Sequence, residues 1–232
     1  MATDIQNKKI YIVIPVFNEE EVIKNVINEV RNIGYGNLIV VDDGSADKTF
    51  EKAKEAGGMV ILRHKINRGK GAATKTGIEA AKLLGADIIV TMDGDGQHDP
   101  ADIKNLIQPI LDGKCEVVLG TRLKHPVGMP WYKIVQNHIG NLITWYLFGL
   151  WVTDSQSGFR AYSRLAAEKI NTRADRYEYD SEVIREIYIY KLKYKEMPIK
   201  VRYTEYSMGK IQKQGFFNGF KTVYKMIWKI IN

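Results

Sequence analysis

The chain has 232 residues, of which 45% are apolar and 26% charged, the composition of one large globular domain; wholesale disorder is excluded. A single cysteine, Cys115, excludes an internal disulfide and any thiolate metal cluster, and points to a reducing, intracellular setting. The net charge of +7 sits at the C-terminal end, where residues 191–232 carry ten Lys/Arg against two Glu; a nucleic-acid-binding body would spread a basic face through its fold.

Residues 10–14 form a continuous apolar run ended by Pro15, as expected of a strand buried on both faces. Apolar residues at 22, 23, 26, 27, 30 and 33 trace a helical stripe over 19–33, closed by Gly34. The pattern repeats as a strand at 38–41, a helix at 46–56, a strand at 59–62, a helix at 71–84 and a strand at 87–92. This alternation predicts an α/β fold, a Rossmann-like and mostly parallel sheet with helices on both faces. Beyond residue 100 the spacing predicts a helix over 102–111, a strand over 116–119 and a long apolar helix over 131–148. A helix over 183–190 and a strand over 200–204 follow.

The N-terminus lacks the apolar run and cleavage site of a secretory signal. No apolar segment reaches the roughly 20 residues needed to span a bilayer; the longest candidate, 139–152, suits at most a shallow interfacial position. The expected organisation is one domain over 1–210 and a basic amphipathic helix over 211–232. On that helix Phe216, Phe220, Val223, Tyr224, Ile227 and Ile231 gather in one arc, and Lys221, Lys225 and Lys229 on the other side. Such a helix fits a membrane interface or a terminal helix packed on the body, and the excess of positive charge favours the membrane.

In an open parallel sheet, ligands bind at the carboxyl ends of the strands, and polar segments leave three of the predicted strands there. Asp93 and Asp95, two residues apart among glycines, repel each other unless a cation sits beside them. Mg²⁺ or Mn²⁺ meets that need, because such ions use one or two carboxylates together with phosphate oxygens. Gln97 offers a further oxygen, and His98 reads as a hydrogen-bonding partner. Of Asp42 and Asp43, one suits a ribose or base and the other a helix cap. Glu19 opens a helix, where the dipole favours its charge. Arg68-Gly69-Lys70-Gly71, at a helix N-terminus, is a competent anion site. It has neither P-loop spacing nor a dinucleotide glycine fingerprint. Arg122, Lys133 and Arg160 are basic groups in the second half, and Arg160 reads as structural as readily as functional.

Six segments occur in order: Ile14-Pro-Val-Phe-Asn-Glu19, Val40-Val-Asp-Asp-Gly-Ser45, Asn67-Arg-Gly-Lys-Gly71, Met92-Asp-Gly-Asp-Gly-Gln-His-Asp-Pro100, Gly120-Thr-Arg122 and Asp154-Ser-Gln-Ser-Gly-Phe-Arg160. Across roughly residues 8–205 this set resembles family 2 glycosyltransferases of the GT-A fold, in particular the dolichyl- and polyprenyl-phosphate sugar synthases. The resemblance implies an inverting, metal-dependent hexosyl transfer from a GDP- or UDP-sugar to a dolichyl or polyprenyl phosphate. It implies that Pro15, Phe17, Glu19, Asp42 and Asp43 hold the nucleotide, with Lys70 in the donor site. Asp93, Asp95 and Gln97 match the family's Asp-x-Asp motif for the metal and donor diphosphate, with Asp95 catalytic. Arg122, joined by Lys133, matches the acceptor-phosphate position; Asp154 is a further catalytic candidate, and Lys210 resembles a basic loop that closes over the donor. Glycine at 94 and 96 departs from the Asp-Ala-Asp-Leu-Gln of many lipid-linked members. The C-terminal membrane spans that many of them carry are absent, which implies peripheral attachment to the inner, cytoplasmic face of the membrane. The alternative is a family 2 enzyme with a non-lipid glycan acceptor.

Overall fold

The computed structural model describes residues 8–57, 60–123, 131–176, 178–202 and 206, and the backbone alone at 131–133, 135 and 136. Its first half repeats strand and helix: β1 (Ile10–Val16), α1 (Ile23–Asn32), β2 (Leu38–Asp42), α2 (Thr49–Ala56), β3 (Val60–Arg63), α3 (Lys70–Leu83) and β4 (Ile88–Thr91). A 3-10 turn (Pro100–Asp102) leads into α4 (Ile103–Leu111), β5 (Val117–Thr121) and α5 (Trp131–Phe148). Then come β6 (Arg160–Ser163), α6 (Arg164–Lys169), α7 (Glu178–Ile189) and β7 (Tyr194–Pro198).

The strands form one seven-stranded sheet in the order β3-β2-β1-β4-β6-β5-β7. All pairings are parallel except those of β6, which runs antiparallel to β4 and β5. Successive residues of β1 face opposite layers, as the pleat requires. Ile12 and Ile14 join the core under α1 and α4, while Val13 joins the core under α3 and α7. A Cβ at Gly77 would lie 2.3 Å from Val13 Cγ1, so the glycine lets α3 press onto β1. That approach sets Lys70, the first residue of α3, near the carboxyl edge of the sheet. The order of strands reverses at β1, between β2 and β4, and the crevice at such a switch point is where doubly wound sheets bind ligands.

Four features differ from the sequence expectation. Pro15 does not end β1; it pairs with Val41, and the strand runs on to Val16. Its missing N–H falls on the β4 side, beyond the end of that strand at Thr91, so no ladder bond is lost. Among the described residues the last strand is β7; of the strand expected over 200–204, Val201 makes an isolated bridge to His98, and 203–204 lie outside the described residues. Strand β6 and helix α6 are additions, and Arg160 is a strand residue. Lys210 and the expected helix over 211–232 lie outside the described residues, as does the side chain of Lys133.

Candidate active site

The segments after β1 and β2 lock onto each other through local side-chain bonds. Asn18, in the left-handed region at φ 55°, accepts from the amide of Ala46 at 2.9 Å and donates its own amide to Ser45 Oγ at 2.9 Å. The Glu19 amide donates to Thr49 Oγ1 at 2.8 Å, and Tyr206 donates its hydroxyl to Glu19 Oε2 at 2.9 Å. Pro15 and Phe17 lie on this edge, Phe17 exposed. Asp42 is fully buried, accepting from Ser45 and pairing with Arg63 Nε at 3.0 Å.

Asp43 is equally committed. Its carboxylate accepts from the amides of Arg68 (3.0 Å) and Gly69 (2.7 Å) and lies 2.7 Å from His64 Nδ1, while His64 Nε2 meets Thr76 Oγ1 at 3.0 Å. The anion site expected at the start of α3 is thus filled by the protein's own aspartate. Asp43 shapes the segment that carries Lys70 to the sheet edge, a role its spacing in the sequence did not reveal.

Lys70 points across the edge of the sheet, with Nζ 2.8 Å from Asp93 Oδ1 and 3.5 Å from Asp180 Oδ2. Burial disfavours its charge, but Asp180 and Asp93 outweigh burial and raise its pKa. Burial likewise pushes Asp93 up, yet Lys70, with Arg122 further off, holds it down at about 2. Gly158 makes this closeness possible: a Cβ there would sit 2.5 Å from Lys70 Nζ and 2.7 Å from Asp93 Oδ1.

Asp95 moves the other way. Burial raises its proton affinity, and the charges of Asp93 and, more weakly, Glu19 raise it further. One of its oxygens accepts from the Gln97 amide at 3.0 Å. The Gln97 carbonyl takes the Arg202 amide at 2.8 Å, so residues 201–202 brace this loop. His98 accepts the Asp93 amide on Nδ1 at 3.3 Å and stacks on Phe159 with ring centroids 4.8 Å apart. Burial lowers its pKa, so it stays neutral and structural at pH 7.

On the other side of the edge, Arg122 and Asp154 form a two-pronged pair: Nε to Oδ2 and Nη2 to Oδ1, both 2.7 Å, with the Arg122 amide adding 3.0 Å to Oδ2. Burial raises the Asp154 pKa, but Arg122 more than reverses this and lowers it. Asp154 is therefore a buried carboxylate that aims a guanidinium, not an unoccupied base. Its loop hangs on α5, where Asn141 donates to the Thr153 carbonyl and accepts from the Ser155 amide and hydroxyl, both at 2.9 Å. Arg160 is buried, donating to the carbonyls of Ser155, Ser157 and Asp180, which is the structural one of its two readings.

The sheet edge thus gathers Glu19, Lys70, Asp93, Asp95 and the Arg122–Asp154 pair. Asp180, His64 and Asn141 were not anticipated, and Asp180 left a trace only in the acidic opening of α7; Gly158 sits in a segment the sequence singles out, but its closeness to Lys70 and Asp93 comes from the fold. No group of three or more His, Cys, Asp or Glu side chains converges among the described residues. The donor set instead fits a hard divalent ion completed by phosphate oxygens, and the raised proton affinity of Asp95 marks where added positive charge is favourable.

The family model described as "Glycosyl transferase family 2" matches residues 11–171. The UDP-N-acetylglucosamine–dolichyl-phosphate N-acetylglucosaminyltransferase of Methanococcus voltae is 43% identical, across 95% of this chain and 96% of that protein. The polyprenol monophosphomannose synthase of Mycolicibacterium smegmatis is 30% identical, across 75% of this chain and 68% of that one. Glucosyl-3-phosphoglycerate synthase from Mycobacterium tuberculosis, solved with Mn²⁺, UDP and phosphoglyceric acid, superposes with a TM-score of 0.70. That match covers 97% of this chain and 80% of the synthase at 20% identity, a likeness of fold.

Proposed function

The chain belongs to glycosyl transferase family 2 and has the GT-A fold, and from that premise we propose that it transfers a hexosyl unit from a nucleotide-sugar to a dolichyl or polyprenyl phosphate, with inversion. The observation that carries this reading is the pairing of an acidic couple, Asp93 and Asp95, with an aimed cation, Arg122, on one sheet edge. The 43% identity to a dolichyl-phosphate transferase along nearly the whole chain supports the lipid acceptor and makes a UDP-linked N-acetylhexosamine the first donor to test.

Asp93 and Asp95, with Gln97 beside them, would hold Mg²⁺ or Mn²⁺; the ion supplies charge neutralisation for the departing nucleoside diphosphate. Lys70 keeps Asp93 ionised and in place. Pro15, Phe17 and Glu19 form the wall against which the nucleoside lies, and the buried Asp42 and Asp43 hold the backbone behind that wall in place. An acceptor phosphate is already an anionic nucleophile. Its oxygen forms the bond to the anomeric carbon as the bond to the diphosphate oxygen breaks, and no proton has to be removed. Arg122, fixed by Asp154, holds that phosphate in line, and positioning of this kind can supply much of the rate. Lys133 is assigned to the same phosphate, and Lys210 to closure over the donor, on sequence grounds. The working site is the cytoplasmic surface of a membrane; among the described residues no helix is long and apolar enough to cross one.

The test is a donor panel with purified protein, Mg²⁺ or Mn²⁺, a polyprenyl phosphate and radiolabelled UDP- and GDP-sugars. Label entering the organic phase with one donor, together with release of the nucleoside diphosphate, is the expected result. Nucleotide binding with no lipid product from any donor would transfer the assignment to a non-lipid glycan acceptor.

A further inference from the structure

The turn that carries Asp154 lies between α5 and β6, outside any helix or strand, yet it aims Arg122. Thr153, the residue before Asp154, commits all three of its polar groups. Its carbonyl accepts from Asn141 of α5, its amide donates to Glu196 Oε1 at 2.6 Å, and its hydroxyl lies 2.8 Å from the same Glu196 oxygen. The hydroxyl also meets Thr121 Oγ1 at 2.8 Å. Thr121, fully buried, is the residue before Arg122. The residues preceding the two members of the ion pair are thus bolted together beneath it.

The bolt ends on a carboxylate that packing alone would not place there. Glu196 sits in the middle of β7, opposite Leu119 of β5. With Tyr194 two residues before it, it faces the layer of Val117, Leu119 and Val152. A half-buried carboxylate on an apolar face is costly unless its oxygens are hydrogen-bonded, and the amide and hydroxyl of Thr153 supply two such bonds to one oxygen. A hydroxyl carries a single proton. With that of Thr153 given to the carboxylate, the Thr121 hydroxyl donates to Thr153, and the chain Thr121–Thr153–Glu196 has one direction. Tyr194 donates its hydroxyl to the Trp151 carbonyl at 3.2 Å, so β7 grips the turn at two points.

We infer that Glu196 is the positioning residue of the Arg122–Asp154 pair: from β7 it fixes Thr153 and, through the Thr153 hydroxyl, Thr121, and so sets the direction in which the guanidinium is presented. A group that holds a reacting phosphate in line has to be fixed to within about 0.5 Å, and a turn outside helix and strand reaches that precision only when its backbone is held. Glu196 acts through Thr153 and Thr121 and not on the substrate. Its role needs an oxygen at that place, not a charge. The inference rests on the acceptor reading of Arg122 for its kinetic arm alone.

The first arm of the test needs no substrate. In the isotopically labelled full chain, the Arg122 Nε–H resonance, assigned by its loss in Arg122→Lys, reports the bond to Asp154 through its exchange with water. Exchange should be about tenfold faster in Glu196→Leu than in the parent. Glu196→Gln, whose amide oxygen accepts the same two bonds, should return to within about threefold of the parent. Thr153→Val keeps the amide bond and the bulk, and as the milder variant should accelerate exchange about threefold; urea midpoints check that each fold holds. The second arm is kinetic: Glu196→Leu should raise the KM for polyprenyl phosphate about tenfold, with the KM for the nucleotide-sugar and the affinity for Mn²⁺ unchanged. Exchange equal to the parent's in Glu196→Leu or Thr153→Val overturns the inference. So does a Gln variant as fast as the Leu variant, which would make charge the requirement, and so does a loss shared equally between donor and acceptor. A parent that makes no lipid product counts against the acceptor reading instead, and the exchange arm still decides this one.

Discussion

Two acidic pairs close parallel strands of this sheet, Asp42 with Asp43 after β2 and Asp93 with Asp95 after β4. The first pair is spent inside the protein. Its carboxylates take backbone amides, Arg63 and His64, and both side chains are shut away from solvent. The second pair is divided: Asp93 is held ionised by Lys70, while Asp95 sits beside that charge with its proton affinity raised. The same residue type at the same kind of strand end thus serves architecture in one place and leaves an unmet electrostatic demand in the other. Surrounding donors, not spacing along the chain, decide which.

The sharpest way to break this comparison is to neutralise one member of each pair. Asp95→Asn should cost about 10³-fold in transfer rate at saturating Mg²⁺ or Mn²⁺, equivalent to about 4 kcal/mol of barrier, with little change in the denaturation midpoint. Initial rates and a urea titration on the same preparation check both halves. Asp43→Ala should behave in reverse as regards stability. It strands the amides of Arg68 and Gly69 and the His64 ring, and should cost about 3 kcal/mol of unfolding free energy, read from the urea midpoint. If Asp43→Ala unfolds like the parent, the division of roles drawn here is wrong.

The two halves of the chain were unequally legible. Helix α1 shows a clean apolar stripe, and strands β1, β2 and β4 are buried on both faces almost throughout, so each reads as an apolar run; β3, at the sheet edge and only half-buried, keeps an apolar run at 60–62. Strand β6 does not, because its first residue is the buried Arg160, whose charge is absorbed by three carbonyls and Asp180 far along the chain. Strand β7 lies at the sheet edge and contains Lys195, Glu196 and Pro198, a composition that reads as loop. In the site, the motif aspartates and Arg122 were visible as local patterns. The partners that set their chemistry were not: Lys70 to Asp180 and Arg122 to Asp154 are pairs between distant segments, and only the fold brings them together.

Gly158 tests the divided pair at lower amplitude. A methyl group there must push Lys70 from Asp93, so Gly158→Ala should lower the transfer rate about tenfold, about 1.4 kcal/mol. The loss should appear in kcat and in metal affinity rather than in the fold. A rate equal to the parent's would mean that the Lys70–Asp93 contact does not matter to the donor site.

The smallest effect is visible only in acid, and its sign separates the two kinds of carboxylate. Asp154 has its pKa lowered in the folded state by Arg122. Its contribution to stability is therefore fully present above the unfolded value near 3.9 and is lost as pH falls through the lower folded value, because the unfolded chain then binds the proton more readily. Asp154→Asn removes that proton from the balance, and the fall of stability below about pH 4 should become shallower. Asp95, with its pKa raised, has the opposite sign in metal-free buffer. The native state holds its proton more tightly, so its contribution favours folding in acid and fades as pH rises through the range above 3.9. Asp95→Asn should make the acid limb steeper. Urea midpoints collected from pH 3 to pH 7 for both variants would show the two slopes diverging from the parent in opposite directions; a shift of both in the same direction would mean that Asp95 is held like Asp154, by a partner within the protein, and has no standing demand for a cation.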